Sequence, residues 1–470
     1  MSHVLIIGNG PAAHRLVERL RWHGHDGPIT VLGGENRPAY NRVLLASVLD
    51  GTLSAAGLTL PEQRAEVRLG VTATAIDRAR RLVRTDGGVV HRYDELVLAT
   101  GARATVPGVP GVRDADGALS AGVTPLRTLD DCARIPEGAR DVVVLGGGVL
   151  GVESARGLQA RGLDVTLVHP QGHPMDRQLD AAGGALLSEH LRGMGLRVRF
   201  GRRAVRYRPG KLVLDDGEAL AADALVLCTG VTPETGLAAE TGLAVGRGIL
   251  VDDHLATSDA HVHAVGDCAE HDGTVPGLIA PAWEQAEVLA RRLTGGTGRY
   301  RGFGTVTRLK ARGIELASMG SAALLDGTDA DVELVTLSDP ARGRYAKLAV
   351  RAERVAGAVL IGFPQATATV AQLHDRNLPL PADRLGLLLG HSPAATAPAD
   401  LPDDAVVCRC NNVTKKTLVR AWHRGARDVG GLVRATRATT GCGGCTDEVR
   451  GLCDALTARD GITTEQEGAA

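Results

Sequence analysis

Two clumps of cysteine lie near the end of the chain. "CRC" sets Cys408 and Cys410 one residue apart, and "GCGGC" sets Cys442 and Cys445 two apart. Four thiols in two close pairs can form disulfides, bind zinc or hold an iron–sulfur cluster. Zinc sites usually space their first pair by two to four residues, so C-x-C is tight for a tetrahedral chelate. The glycines around Cys442 and Cys445 free the backbone to turn amides toward sulfur, which suits a negatively charged cluster. "TDEVRGLCDAL" then begins a helix whose positive end faces the same place. Taken alone the pattern is ambiguous, with zinc a fair reading; together with the nucleotide folds that precede it, it favours iron–sulfur. Val449, Leu452, Cys453 and Leu456 fall at helical spacing, so Cys453 reads as core and not as a fifth ligand.

Two glycine turns carry the other chemistry. In "GNGPAA", Gly8 permits a tight turn, Gly10 lets the backbone approach a pyrophosphate, and Ala13 lets the helix pack on the strand. Glu35, at the end of the next strand, is placed to accept a hydrogen bond from a ribose hydroxyl. "GGGVLG" repeats the pattern with Gly146, Gly148 and Gly151, and Glu153 follows in the first turn of the helix. His169 stands where an acid would select an unphosphorylated ribose. A protonated His169 with Arg177 nearby would tolerate a 2′-phosphate, a slight preference for NADPH, whereas a merely solvated strand end would express none.

The elements that must position these groups follow from the texture of the chain. "HVLIIG" is an unbroken apolar run, as a buried parallel strand requires. "NGPAAHRLVERLRWHG" has Ala13, Leu16, Val17 and Leu20 on one helical face, and "DGPITVLGGE" is a second strand. "RDVVVLGGGVLGVESARGLQARGLDVTLVH" repeats that order, so the chain holds two β-α-β nucleotide folds. From about Gly302, "GIELASMGS", "DVELVTLSD" and "YAKLAVRAERVAGAVLIG" alternate, which predicts a small antiparallel domain. "HSPAATAPADLPDD" reads as a semi-extended linker. Thr414 is placed to cap a helix ending near Gly425.

Composition narrows the class. With 61 glycines and 2% aromatic residues, the cores must be built from Val, Leu and Ala, which points to layered α/β structure. A net charge of −1 and the scarcity of stacking rings argue against nucleic acid as a partner. No apolar run approaches the ~18 residues of a membrane span. "MSHVLIIGNG" lacks a basic leader, so a cytoplasmic location without structural disulfides is expected. Residues 408–437 hold eight Lys/Arg against Asp428, either a solvated, internally paired face or a docking surface for an acidic electron-transfer protein.

The two folds, with their "ATG", "CTG" and "VGD" stretches, resemble the two-dinucleotide-binding flavoprotein reductases over residues 1 to about 295. The resemblance implies FAD at the first site and NAD(P)H at the second. It implies that Asp267 contacts the ribityl-pyrophosphate part of FAD and that Thr100 and Gly101 lie near the flavin. It adds Arg42 of "PAYNRVLL", and Trp283 and Glu284 beside the ring. Disulfide reductases of this superfamily carry a cysteine pair after the first fold. This chain has no cysteine before Cys132, which stands alone, while Cys228 and Cys268 read as core. "NRVLLASVLDG" lacks the lysine that some relatives place near the flavin. No acid–base catalyst is assigned, because hydride transfer asks mainly for orientation.

"CRCNNVTKKTL" with "ATTGCGGC" resembles the bacterioferritin-associated-ferredoxin-like domain. The resemblance implies Cys408, Cys410, Cys442 and Cys445 as ligands of a [2Fe-2S] cluster. The expected architecture is α/β: an FAD-binding domain at 1–110 and 235–298, an NAD(P)H-binding domain at 111–234, a small α+β domain at 299–390, a linker at 391–404 and a small helical [2Fe-2S] domain at 405–460. That order, with "MDRQLDAAGGALL" and "TRLKARGIELASMG", resembles the N-terminal half of the NAD(P)H nitrite reductase large subunit and the electron-transfer subunit of assimilatory nitrate reductase. The expected function is electron transfer from NAD(P)H through FAD and the cluster to a separate nitrate or nitrite reductase. No sirohaem half follows in the sequence, so nitrite reduction by this chain alone is not expected. The alternatives are a ferredoxin or rubredoxin reductase, and a redox-sensing or iron-handling interaction protein.

Overall fold

The computed structural model describes residues 2–302, 304–390, 398–408, 413–439 and 445–460. The chain forms two compact units, Met1–Asp176 with Leu187–Thr305 and Arg177–Leu186 with Val306–Ala470.

The first unit is built twice over. Val4–Ile7 is the middle strand of a parallel sheet in the order Val262–Ala264, Glu95–Leu98, Val4–Ile7, Ile29–Gly33, Glu66–Leu69. All four of its residues are buried, because a parallel strand covered on both faces has no solvated side. Helix Pro11–Trp22 starts with proline, where the lost N–H costs nothing, and buries Ala13, Leu16, Val17 and Leu20. That face packs with Ala286 and Leu289 of helix Ile279–Leu293. Truncating Leu16 to alanine there would cost about 2–5 kcal/mol.

The second sheet is also parallel: Arg197–Phe200, Asp164–His169, Asp141–Leu145, Ala224–Leu227, Val123–Pro125. Helix Val149–Ala160 follows its glycine turn. An antiparallel ladder of Ala102–Ala104 with Val231–Pro233 marks where the chain passes from the first fold to the second and back.

The second unit begins with an antiparallel sheet in the order Val306–Arg308, Leu316–Met319, Arg354–Ile361, Arg344–Arg351, Glu333–Asp339. Helix Pro364–Asp375 lays Ala366, Val370 and Ala371 on its apolar face. The alternating stretches in the sequence anticipate these strands except Val306–Arg308, which lies outside them. They do not anticipate Asp180, whose carboxylate accepts from Tyr345 Oη at 2.5 Å, Lys347 Nζ at 3.0 Å and the Gly183 amide at 3.1 Å. The "QLDAAGG" stretch is thus held by a buried ion pair. Burial, with the adjoining carboxylate, pushes the Tyr345 phenol up.

The cysteine module has a short hairpin, Val406–Cys408 with Val413–Thr414, and helices Lys415–His423, Val429–Thr436 and Thr446–Arg459. Thr414 caps the first helix by accepting from the Thr417 amide at 3.3 Å, and Gly425 turns beyond its end at φ +106°. Trp422, fully buried among Leu418, Leu432 and Leu452, donates through Nε1 to Asp460 at 2.7 Å. Part of the stretch read as linker is attached here. Lys415 Nζ donates to the carbonyls of Ala399 at 2.5 Å and Leu401 at 2.7 Å. Residues 391–397 lie outside the described residues. No described helix is long and apolar enough to cross a membrane.

Candidate functional site

At the first glycine turn, Gly8 donates to the Leu32 carbonyl at 2.8 Å and adopts φ +108°. A Cβ there would lie 2.1 Å from the Ala99 carbonyl oxygen, so the "ATG" stretch runs directly against the turn. Gly10 differs: its φ is an ordinary −91°, and a Cβ would meet nothing within 4 Å. The space above Gly10 is open where a pyrophosphate meets the start of a helix. Asn9 Nδ2 is buried beside it without a partner among the described residues. Ala13 is fully buried on the helix behind.

Glu35 lies two residues beyond strand Ile29–Gly33, so it does not end that strand as the sequence predicts. Its carboxylate accepts from Tyr40 Oη at 2.8 Å and forms an ion pair with Arg42. Arg42 Nη1 also reaches Tyr40 Oη at 3.0 Å and the Arg127 carbonyl at 3.4 Å. Arg127 in turn donates to Asp267 at 2.6 Å and to the Ala102 carbonyl at 3.0 Å. Burial, with the Glu35 hydrogen bond, pushes the Tyr40 phenol up. Three of the predicted residues, Glu35, Arg42 and Asp267, therefore belong to one network, joined by Tyr40 and Arg127.

Sequence reasoning missed those two joining residues. Tyr40 sits inside the quoted "PAYNR", but Arg127 is 140 residues from Asp267 and carries no local signal. Thr100 Oγ1 donates to the Glu234 carbonyl at 2.8 Å, and the Gly101 carbonyl accepts from the Glu234 amide at 2.9 Å. Gln285, fully buried, accepts from the Gly266 amide at 2.7 Å and so fixes the turn before Asp267. No hydrogen bond among the described residues joins Trp283 or Glu284 to this network. Glu284 is exposed in surface area yet closely flanked, and that crowding, with Glu287, raises its pKa.

The second turn repeats the first. Gly146 donates to the Val168 carbonyl at 2.8 Å, adopts φ +113°, and would place a Cβ 2.3 Å from the Cys228 carbonyl. Gly148 has open space, as Gly10 does. A Cβ on Gly151 would lie 1.7 Å from the Gly146 carbonyl, which explains why only glycine lets this helix sit so close to the turn. Glu153 is buried at the fifth position of the helix, just past the first turn in which the sequence places it.

His169 is not a solvated strand end. It is 9% exposed, its Nδ1 accepts from the Gly147 amide at 3.0 Å, and its Nε2 faces Asp176 Oδ1 at 2.8 Å. Strand geometry turns the ring under the glycine loop, where both nitrogens are engaged. It does not reach outward toward a phosphate.

In the module, Cys408 ends a strand and Cys445 precedes helix Thr446–Arg459, and both are buried in one apolar core. Cys410 and Cys442 lie outside the described residues. Two buried thiols from separate segments beside those positions fit the four-thiolate donor set. Val449, Leu452, Cys453 and Leu456 are buried together, as their spacing predicts. Of the basic residues, Lys415 is spent on the carbonyls above, and Arg427 pairs with Asp460 and covers Trp422. Lys416, Arg420, Arg424 and Arg434 are exposed.

The remaining thiols are held protonated. Burial pushes Cys132 and Cys228 up to about 12, and raises Cys268 and Cys453 as well. Such thiols stay protonated near neutrality and are poor nucleophiles.

Residues 2–286 match the family model of the pyridine nucleotide-disulphide oxidoreductases, and the chain belongs to that family. Residues 306–373 match the rubredoxin NAD+ reductase C-terminal domain, and residues 406–454 the BFD-like [2Fe-2S] binding domain. Its cofactors are accordingly FAD, NAD(P)H and a [2Fe-2S] cluster.

Among relatives, the nitrite reductase [NAD(P)H] of Bacillus subtilis (strain 168) is 32% identical, over 94% of this chain and 56% of that protein. The assimilatory nitrate reductase electron transfer subunit of the same organism is 32% identical, over 97% of this chain and 60% of that protein. The chain thus spans little more than half the length of these relatives. Among solved structures, the putidaredoxin reductase–putidaredoxin complex matches with a TM-score of 0.73 and 26% identity. That match covers 82% of this chain and 95% of the other.

Proposed function

We propose that the protein passes electrons from NAD(P)H through FAD and a [2Fe-2S] cluster to a separate protein acceptor, an assimilatory nitrate or nitrite reductase. The observation that carries this reading is the pairing of two geometrically repeated glycine turns with the cysteine module in one chain. The relatives whose names concern nitrite and nitrate reduction, matched along nearly the whole of this chain, support the acceptor class. When bound, FAD takes a hydride from NAD(P)H and the cluster takes electrons singly.

The chain's own residues supply binding and orientation. The free amides at the start of the helix, from Ala12 onward, with that of Gly10, would meet the FAD pyrophosphate, and Asp267, braced by Arg127, would meet its central part. Glu35, braced by Tyr40 and Arg42, receives the adenosine ribose. Thr100 and Gly101, tied to Glu234, would hold the strand exit near the flavin, and Trp283 and Glu284 would help to bind its ring. The amides around Gly146, Gly148 and Gly151 meet the NAD(P)H pyrophosphate, with Glu153 behind them. Cys408, Cys410, Cys442 and Cys445 ligate the cluster. The half-buried, protonated thiols Cys132 and Cys228 take no part, which supports a reductase without a thiol relay.

The test is a variant carrying Cys442→Ser and Cys445→Ser. NAD(P)H-to-dye reduction should persist while reduction of a nitrate or nitrite reductase is lost. Retained reduction of the protein acceptor would remove the cluster from the path.

A further inference from the structure

We propose that Asp176, oriented by His169, makes the second nucleotide site select NADH over NADPH. This rests on the reading that the second glycine turn binds the nicotinamide nucleotide. In such folds the residue that tells the two nucleotides apart stands at the end of the second strand and faces the adenosine ribose. That position is His169, and its ring points inward.

Three contacts fix what replaces it. The Gly147 amide donates to His169 Nδ1 at 3.0 Å, so the ring proton resides on Nε2. Nε2–H then donates to Asp176 Oδ1 at 2.8 Å. The Met175 amide donates to the Gly147 carbonyl at 2.8 Å, and Met175 is fully buried in a left-handed conformation at φ +54°. The chain leaving the strand is therefore folded back onto the glycine turn, with both the N–H and the C=O of Gly147 engaged.

The result is a carboxylate at the strand end, delivered seven residues late and separated from the Gly147 amide by one imidazole ring. Its side chain is 31% exposed, and no described residue donates to Oδ2. Oδ2 is an acceptor suited to a ribose 2′-hydroxyl. A 2′-phosphate would instead bring its negative charge against this carboxylate.

The experiment is calorimetric titration of the FAD-loaded protein with ADP-ribose and with 2′-phospho-ADP-ribose, neither of which can be turned over. The wild type should bind ADP-ribose more tightly by about tenfold or more. Asp176→Asn, nearly isosteric, should narrow that ratio to about threefold or less, by tightening the 2′-phosphorylated ligand. Gly148→Ala, whose added methyl would occupy the open space over the turn, should weaken both ligands together. Equal or tighter binding of the 2′-phosphorylated ligand by the wild type would overturn the proposal. So would an unchanged ratio in Asp176→Asn. If Gly148→Ala binds both ligands as the wild type does, the assignment of the nucleotide to this turn fails, and the proposal with it.

Discussion

Arg127 donates to Asp267 at 2.6 Å, joining a residue just before helix Leu129–Ala133 to the turn that follows strand Val262–Ala264. Both side chains are largely buried, at 25% and 20% exposure. The same arginine holds the Ala102 carbonyl and, through its own carbonyl, meets Arg42. One cation thus ties the "PAYNR" turn, the strand exit and the "VGD" turn into a single frame.

Removing that cation should weaken both the frame and flavin retention. Arg127→Ala leaves a carboxylate uncompensated, which costs about 1.5–3 kcal/mol in stability. We expect a lower midpoint in urea and purification with substoichiometric FAD, read from the 450 nm absorbance. Full flavin content in this variant would show that Asp267 needs no such bracing.

The two kinds of glycine in each turn should behave differently. Gly8→Ala and Gly146→Ala place a methyl within 2.1 Å and 2.3 Å of a carbonyl oxygen, at φ values L-residues avoid. Both should lose soluble folded protein. Gly10→Ala meets only open space, so it should fold with an unchanged melting curve and still take up FAD poorly. Normal FAD uptake by Gly10→Ala would place the pyrophosphate elsewhere.

Stability should fall steeply in acid through Glu287. Burial alone would raise its carboxyl, but the hydrogen bonds and charge of Arg19, with Arg291 and His23, outweigh that and hold it at about 2. A depressed carboxylate contributes stability that is fully present above the unfolded value of 4.5 and is lost as pH falls through about 2. The contribution is roughly 3 kcal/mol. Urea titrations at pH 7, 4 and 3 should show the decline beginning below pH 4.5, and Glu287→Gln should flatten it. A wild-type profile as flat as the variant's would refute the assignment.

The single thiols should be dispensable. With Cys132 and Cys228 held at about 12, iodoacetamide at pH 8 should leave both unlabelled in the folded protein. Cys132→Ser should reduce dyes as the wild type does. Loss of dye reduction in that variant would restore a thiol to the path.

What the sequence discloses here is what is local. Runs such as Val4–Ile7, the buried face of Ala13, Leu16, Val17 and Leu20, and the Thr414 cap follow from period and residue type within a few positions. The resemblance of longer stretches extends this to Asp267 and the cysteine module. What stays hidden is set by long-range contact. Nothing near Arg127 signals Asp267, and nothing near Asp180 signals Tyr345. His169 shows the limit of pattern: its place at a strand end is plain, but which way its ring turns depends on Gly147 and Asp176 being there to receive it.

The most direct test of the relay is the metal content of the purified protein. The account predicts about two irons and two acid-labile sulfides per chain, both lost when Cys442 and Cys445 become serine. One zinc per chain with no sulfide would contradict it.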